Sequence, residues 1–492
     1  SVGAGGVVAD LSVNVGSIGV GANRFNNITA QGAIDHDTYV AEVHSNDKNL
    51  SFDLNSIIDL GAYIPSYEVM LKLNRADLNA LGINKRDSLS VVSLEMGVDV
   101  DGRKLDDMNG SISVVNMRYE YPDGELLSDR LSAEIRGYDE RKDISIKSDF
   151  ADIDFQSRAT YKQIANYIFN ALKRYVPLLY DGDTAQEVVA NDSISAYDYS
   201  MFTMQTHESL NDLLAAILGD FLVAPDTDLA MVFSPQNNHL SVQLGSEAIE
   251  YKGVILADAE LDIKNEQDSL LMWINSEAIY LGSRKIMPNF NLSATAHQNR
   301  VNLSADFKDK DNGQSGLVAM SAQFSRNAAT RRRSMHIDIS PSHFTTKTQQ
   351  WKLYANGIDI DSSRVHVNEL HIARPEQQLI VNGIASRDRR DSISLTLDNF
   401  DLSPISALIS KYGYEVSARS NGYATVRSAL YNPQIDARID LNDILVNGLE
   451  APPQQVSSNW DFERNRARVI IRDINSQDTV IRGYYQPQGN RY

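Results

Sequence analysis

The chain has 492 residues, 42% hydrophobic and 23% charged, with 46 basic against 65 acidic side chains and a formal net charge of −19. That balance argues against the basic face that duplex nucleic acid requires, and equally against a simple polybasic patch for anionic membrane surfaces. The absence of any cysteine excludes disulfides, thiolate metal sites and cysteine nucleophiles.

The first residues, Ser1-Val2-Gly3-Ala4-Gly5-Gly6, carry no initiator methionine, basic n-region or apolar h-region, so the chain is expected to be an internal piece of a longer protein. The glycines that follow, Gly16, Gly19 and Gly21, fail the dinucleotide-binding spacing and suit turns and bulges. Beyond them a two-residue period dominates, in Leu71-Lys-Leu73, Ile144-Ser-Ile146 and Ile153-Asp-Phe155. Strict alternation places one side of an antiparallel sheet on apolar material and the other in water.

The period changes between Tyr161 and Tyr175. Tyr161, Ile164, Ala165, Ile168, Leu172 and Tyr175 have helical spacing, and Pro177 stops the run. Leu210, Leu213, Leu214, Ile217, Leu218 and Phe221 repeat the pattern before Pro225, with a polar loop over 181–200 between the two helices. The longest apolar stretch, Leu213 to Ala224, is broken by Gly219 and Asp220 and falls far short of the ~20 residues that span a bilayer.

Alternation then resumes in Leu261-Asp-Ile263, Val301-Asn-Leu303-Ser-Ala305-Asp-Phe307, Ile337-Asp-Ile339, Val365-His-Val367, Ile393-Ser-Leu395-Thr-Leu397 and Ile435-Asp-Ala437-Arg-Ile439-Asp-Leu441. Turn dipeptides punctuate the chain at Asp101-Gly102, Asn109-Gly110, Asp123-Gly124, Asn312-Gly313, Asn382-Gly383 and Asn447-Gly448. Ser403, Pro404, Ile405, Leu408, Ile409, Tyr412 and Gly413 predict one further short helix. The expected organisation is a β region over 1–157, a helical insert over 158–224 and a second β region over 225–492. A sheet this long must close as a barrel, pair as a sandwich, or curl lengthwise around something apolar.

Catalytic constellations are not found. The nine histidines form no HExxH or other tight ligand spacing, and His366 lies between Val365 and Val367 on the polar side of its strand. There is no G-x-S-x-G elbow, Walker loop or G-x-G-x-x-G. Asp99-Val-Asp101-Gly102 and Asp309-Lys-Asp311-Asn312-Gly313 lack the glutamate that closes a calcium loop and read as hairpin turns. Asp154, Asp338, Asp359, Asp361, Asp436 and Asp440 occupy polar positions of alternating strands and are expected to solubilise the outer sheet face. The run Arg331-Arg332-Arg333 reads as a solvated hairpin tip. No catalytic residue, metal or cofactor is expected, and the chain is not expected to be an enzyme.

The order of motifs in the C-terminal half carries a family likeness. Trp351-Lys-Leu-Tyr-Ala-Asn-Gly-Ile358, Leu379-Ile-Val-Asn-Gly383, Leu395-Thr-Leu-Asp-Asn-Phe-Asp-Leu-Ser-Pro-Ile405, Ser420-Asn-Gly422-Tyr, Asn432-Pro433, Ser458-Asn-Trp460 and Ile481-Arg-Gly483-Tyr follow one another. Over 225–492 this series resembles the TamB family of translocation and assembly module proteins, in its Bacteroidota form. The resemblance implies an AsmA-like envelope protein of the periplasm, anchored in the inner membrane by a segment absent here. It also implies a long antiparallel sheet curled lengthwise into an open hydrophobic groove, β-taco-like, that carries phospholipid acyl chains towards the outer membrane with an Omp85-type partner.

Two functions follow as expectations. In a lipid conduit the groove would be lined by Val301, Leu303, Phe307, Ile393, Leu395, Leu397, Ile435, Ile439 and Leu441, whose alternation gives them a common face. In the alternative, a scaffold or chaperone for outer-membrane protein assembly offers sheet edges to extended strands. Both helices, too short to be stable alone, are expected to cover the groove where the two β regions meet, with Ile168 and Ile217 among their docking residues.

Overall fold

The structure, a computed structural model, describes residues 8–20, 23–138, 141–179, 199–234, 238–309, 313–326, 332–346, 349–402 and 416–486. The chain is mainly β, and the thirty-two strands among these residues form one long antiparallel sheet. The alternating segments are its strands. Asn447-Gly448 makes a two-residue turn with both residues left-handed, at φ 50 and 78°, as that turn requires. Asn382-Gly383, expected as a turn, instead lies inside the strand Gln377–Ser386. Gly383 has φ 114° there, and a Cβ would collide with the carbonyl of Ser392 on the neighbouring strand, so its lack of a side chain serves close backbone approach.

The chain divides into two compact units, Ser1–Phe169 with Val188–Asn265 and Trp273–Ile286, and Asn170–Glu187 with Glu266–Met272 and Met287–Tyr492. These boundaries differ from the expected ones at 157/158 and 224/225. In the first unit the strands Val8–Val20, Asn23–Asp35, Thr38–Asn46, Leu50–Asp59, Ser66–Asp77, Val91–Asp101, Asn109–Tyr121, Gly124–Tyr138, Arg141–Ser148 and Ala151–Ser157 form a meander, each paired with the next. The next ladder partner of Ala151–Ser157 is Ser200–Thr206, a strand inside the segment expected to be helical. Ser200–Thr206 in turn pairs with Asp228–Ser234, which continues through His239–Tyr251 to Val254–Glu266.

The two helices interrupt this meander at opposite ends of its strands. The helix Tyr161–Tyr175 follows Ser157, and its start is a reciprocal cap: Gln163 N–H donates to Thr160 Oγ1 (3.2 Å) while Thr160 N–H donates to Gln163 Oε1 (2.8 Å). The helix Leu210–Leu218 follows Thr206, at the other rim. It ends at Gly219, left-handed at φ 71°, whose N–H donates to Ala215 O. No helix among the described residues is long and apolar enough to cross a membrane.

In the second unit the meander runs from Arg284–His297 through Arg300–Lys308 to Ser315–Arg326. Two rows are then built from collinear short strands, Arg333–Ile339 with Ser342–Thr346, and Gln349–Tyr354 with Ile358–Asp361. Arg364–Arg374, Gln377–Ser386, Ser392–Asp401, Val416–Arg427, Gln434–Val446, Gln454–Asp461, Arg466–Asp473 and Thr479–Tyr485 complete it. Bulges shift the register between Val367 and Leu370 and between Leu397 and Phe400. Glu369 and Asn399 occupy them, left-handed at φ 48 and 49°, and such bulges bend a strand and increase its twist. The helix expected over 403–413, and Arg331 of the basic run, lie outside the described residues.

Candidate functional site

In an antiparallel ladder directly opposed residues share a face, and neighbours along a strand alternate between faces. The register therefore assigns every side chain to one side of the sheet. In the second unit Val301, Leu303 and Phe307 oppose Ala322, Met320 and Gly316. Ala322 opposes Ile337, Ile337 opposes Ile358, and Ile358 opposes Val367. Val367 meets Gly383, Gly383 meets Ile393, Ile393 meets Val426, and Val426 meets Ile435. Leu395 and Leu397 follow Ile393 at two-residue steps, as Ile439 and Leu441 follow Ile435. All nine expected groove residues lie on one face of one sheet. Leu397 is buried and the other eight are half-buried.

The first unit has the same construction, which alternation alone does not resolve into a site. One row of opposed residues runs Leu11, Gly32, Ala41, Ser56, Val69, Val98, Ile112, Ala133, Ile146, Ile153, Met204, Leu229, Leu244, Leu261. It crosses fourteen strands with a single polar member. The alternation that marks these residues is present in each strand, but the pairing that aligns them is not local in sequence.

In the second unit the apolar face gathers around aromatic residues. Trp351, Leu397 and Phe400 are buried together, with Phe344, Ile372, Leu379, Leu395 and Ile439 packed against them. Trp351 stacks on Phe344 at 5.8 Å and carries the Arg374 guanidinium at 4.6 Å from its ring centre. Of this group, strand alternation singles out only Leu395, Leu397 and Ile439 for the groove.

The opposite face is polar, though its acids are not alike. His336 Nδ1 lies 2.7 Å from Asp359 Oδ1, and its Nε2 lies 3.2 Å from Asp338 Oδ1. The bonds to Asp359 and then Asp338 hold the imidazole above its ordinary titration range. Asp338 and Asp359 are exposed, as expected. Asp436, expected to be merely solvated, is half-buried. It accepts from Arg427 Nη1 (2.7 Å) and from the backbone N–H of Trp460 (2.9 Å). Asp440 accepts from Gln455 Nε2 at 2.7 Å.

The helices divide between different surfaces. Tyr167 stacks on Phe233 of the apolar face with ring centroids 5.4 Å apart, and donates to His239 O at 2.9 Å. The other helix lines, through Ser209 and Asp212, a polar cleft of about 1070 Å³ with Lys147, Asp152 and His207. Asp152 sits below the ordinary carboxylate range there because it accepts from Lys147 and His207. Ile168 and Ile217, expected to anchor the helices, are exposed. No group of three or more histidine or carboxylate side chains suited to holding a metal occurs among the described residues. The chain matches no family model, no curated protein and no solved structure.

Proposed function

We propose that this chain is a lipid conduit of the kind its likeness to the TamB family implies, with acyl chains moving along the apolar face. The observation that carries the reading is the row of opposed, almost wholly apolar residues in each unit, half-buried rather than sealed beneath a second layer. Such a face keeps each acyl CH₂ from water at a saving of about 0.8 kcal/mol, without a single deep well that would stop movement. The contact between Trp351 and Phe400 supports a lengthwise curl. Their strands are three ladder steps apart, about 14 Å on a flat sheet, and side chains that meet across that distance converge as they do on a concave surface. On this reading the protein works in the diderm periplasm with an Omp85-type partner at the outer membrane.

The test is binding of a fluorescent long-chain fatty acid and of phospholipid from vesicles, with mass spectrometry of organic extracts of the purified chain. Leu395→Asp and Leu303→Asp, on the apolar face, are expected to lower bound lipid several-fold, and Thr396→Asp on the opposite face to leave it unchanged. Equal binding in all three variants, or none in the native chain, overturns the proposal.

A further inference from the structure

We infer that the first turns of the helix Tyr161–Tyr175, residues 161–169, are a releasable cover on the apolar face of the first unit, latched by Asp106 and Lys142, so that their undocking controls entry of acyl chains; this rests on the conduit reading above. Phe233 is on the same strand face as Leu229 and Met231, and it is fully buried although it stands at the rim of the sheet. The Tyr167 ring covers it, nearly parallel at 11°.

The latch is at the helix start. Asp106 Oδ1 accepts from the Tyr161 N–H at 2.9 Å and lies 3.4 Å from Lys142 Nζ. Lys142 also donates to Ala159 O at 3.0 Å and sits 5.5 Å from the Tyr161 ring centre. Its side chain is only 4% exposed, and it shares the apolar face with Ile144 and Ile146 of the same strand. A buried ammonium is costly unless paired and hydrogen-bonded. The docked turn at 159–161 supplies part of that pairing, so undocking exposes Lys142 and Phe233 together.

The attachment differs along the helix. Ile168 remains 46% exposed and Tyr161, Ile164 and Tyr167 are half-buried, whereas Tyr175 at the far end is buried and its carbonyl accepts from Asn299 N–H at 2.9 Å, so release concerns the first turns. Beneath the helix lies a row of opposed or bonded residues, Lys142, Ser157, Ser200 and Phe233, with the two serine hydroxyls 2.7 Å apart. That row is the border of the apolar band, where an acyl chain would enter. A helix of this length does not persist alone in water, so release takes the form of local unfolding.

The chain has no cysteine, so Phe233→Cys in the 492-residue chain places one thiol under the helix. Adding Tyr167→Ala, or Lys142→Met, is expected to speed maleimide labelling at least tenfold and to speed uptake of a fluorescent fatty acid. Tyr167→Phe, which in the same background keeps the ring over position 233 and loses the bond to His239, is expected to fall between. Hydrogen exchange over 161–171 in chains with native Phe233 should rise in the same order. Labelling unchanged by Tyr167→Ala overturns the cover. Faster labelling with unchanged uptake overturns the control of entry and leaves the conduit standing. Absence of uptake in the native chain and every variant instead overturns the conduit, and the cover's role with it.

Discussion

Trp351 and Phe400 meet edge to face, ring centroids 5.5 Å apart at 68°, although two whole strands lie between theirs in the ladder. Each is 4% exposed. Trp351→Ala is therefore expected to destabilise the second unit by about 3–5 kcal/mol, the usual cost of a buried aromatic. Urea unfolding followed by circular dichroism measures it, and a loss under about 1 kcal/mol would mean the cluster is not a core.

The acids on the polar face separate into two classes. Asp338→Asn, at an exposed position, is expected to change stability by no more than about 0.5 kcal/mol. Asp436→Asn removes the charge that Arg427 pairs with and is expected to cost about 1 kcal/mol. Parallel denaturant titrations of the two variants distinguish the classes.

His336 introduces a pH dependence. Its folded-state proton affinity is raised above the ordinary value of 6.5 by Asp359 and Asp338. The contribution to stability is therefore complete below that value and is lost as pH rises through the higher folded one. Melting temperatures of the native chain and of His336→Gln should differ at about pH 5.5 and converge by about pH 8. A difference that grows with pH contradicts the assignment.

Asp47 acts in the opposite direction. It is buried, accepts from Asn49 N–H (2.8 Å) and from both Asn26 N–H and Asn26 Nδ2 (2.9 Å each), and is held below its ordinary value of 3.8, chiefly by Asn49. Its stabilisation is present above that value and disappears as pH falls through the lower folded one. Asp47→Ala is expected to cost about 1–3 kcal/mol at neutral pH and little in strong acid, measured by thermal melts across that range.

Alternation made the common face of Val301, Leu303, Ile393 and Ile435 legible, because the period of two depends only on the strand's own geometry. What escaped depends on distant partners. The strand Ser200–Thr206 was hidden because Met201 and Phe202 give it apolar residues on both faces, and a long polar segment precedes it. The helix over 161–175 was correctly placed, but its docking face is turned by one residue. Tyr167 docks and Ile168 does not, since a tyrosine satisfies both the Phe233 ring and the His239 carbonyl. Asn382-Gly383 misled as a turn because the same residues suit a strand where a neighbouring carbonyl comes close. The left-handed bulges at Glu369 and Asn399 left no pattern that alternation could detect.

The meander has a consequence for how the molecule is made. From Val8 to Ser157, every strand bonds first to the one synthesised just before it. A chain delivered end-first, from a ribosome or through a membrane pore, thus always emerges beside a finished template. Loop closure stays short at each addition, and growth proceeds by hairpins rather than by a search for remote partners. Each added hairpin extends the sheet by about 10 Å. Length can accordingly change by whole hairpins without redesign of the neighbours, whereas loss of one strand reverses the direction of every strand after it.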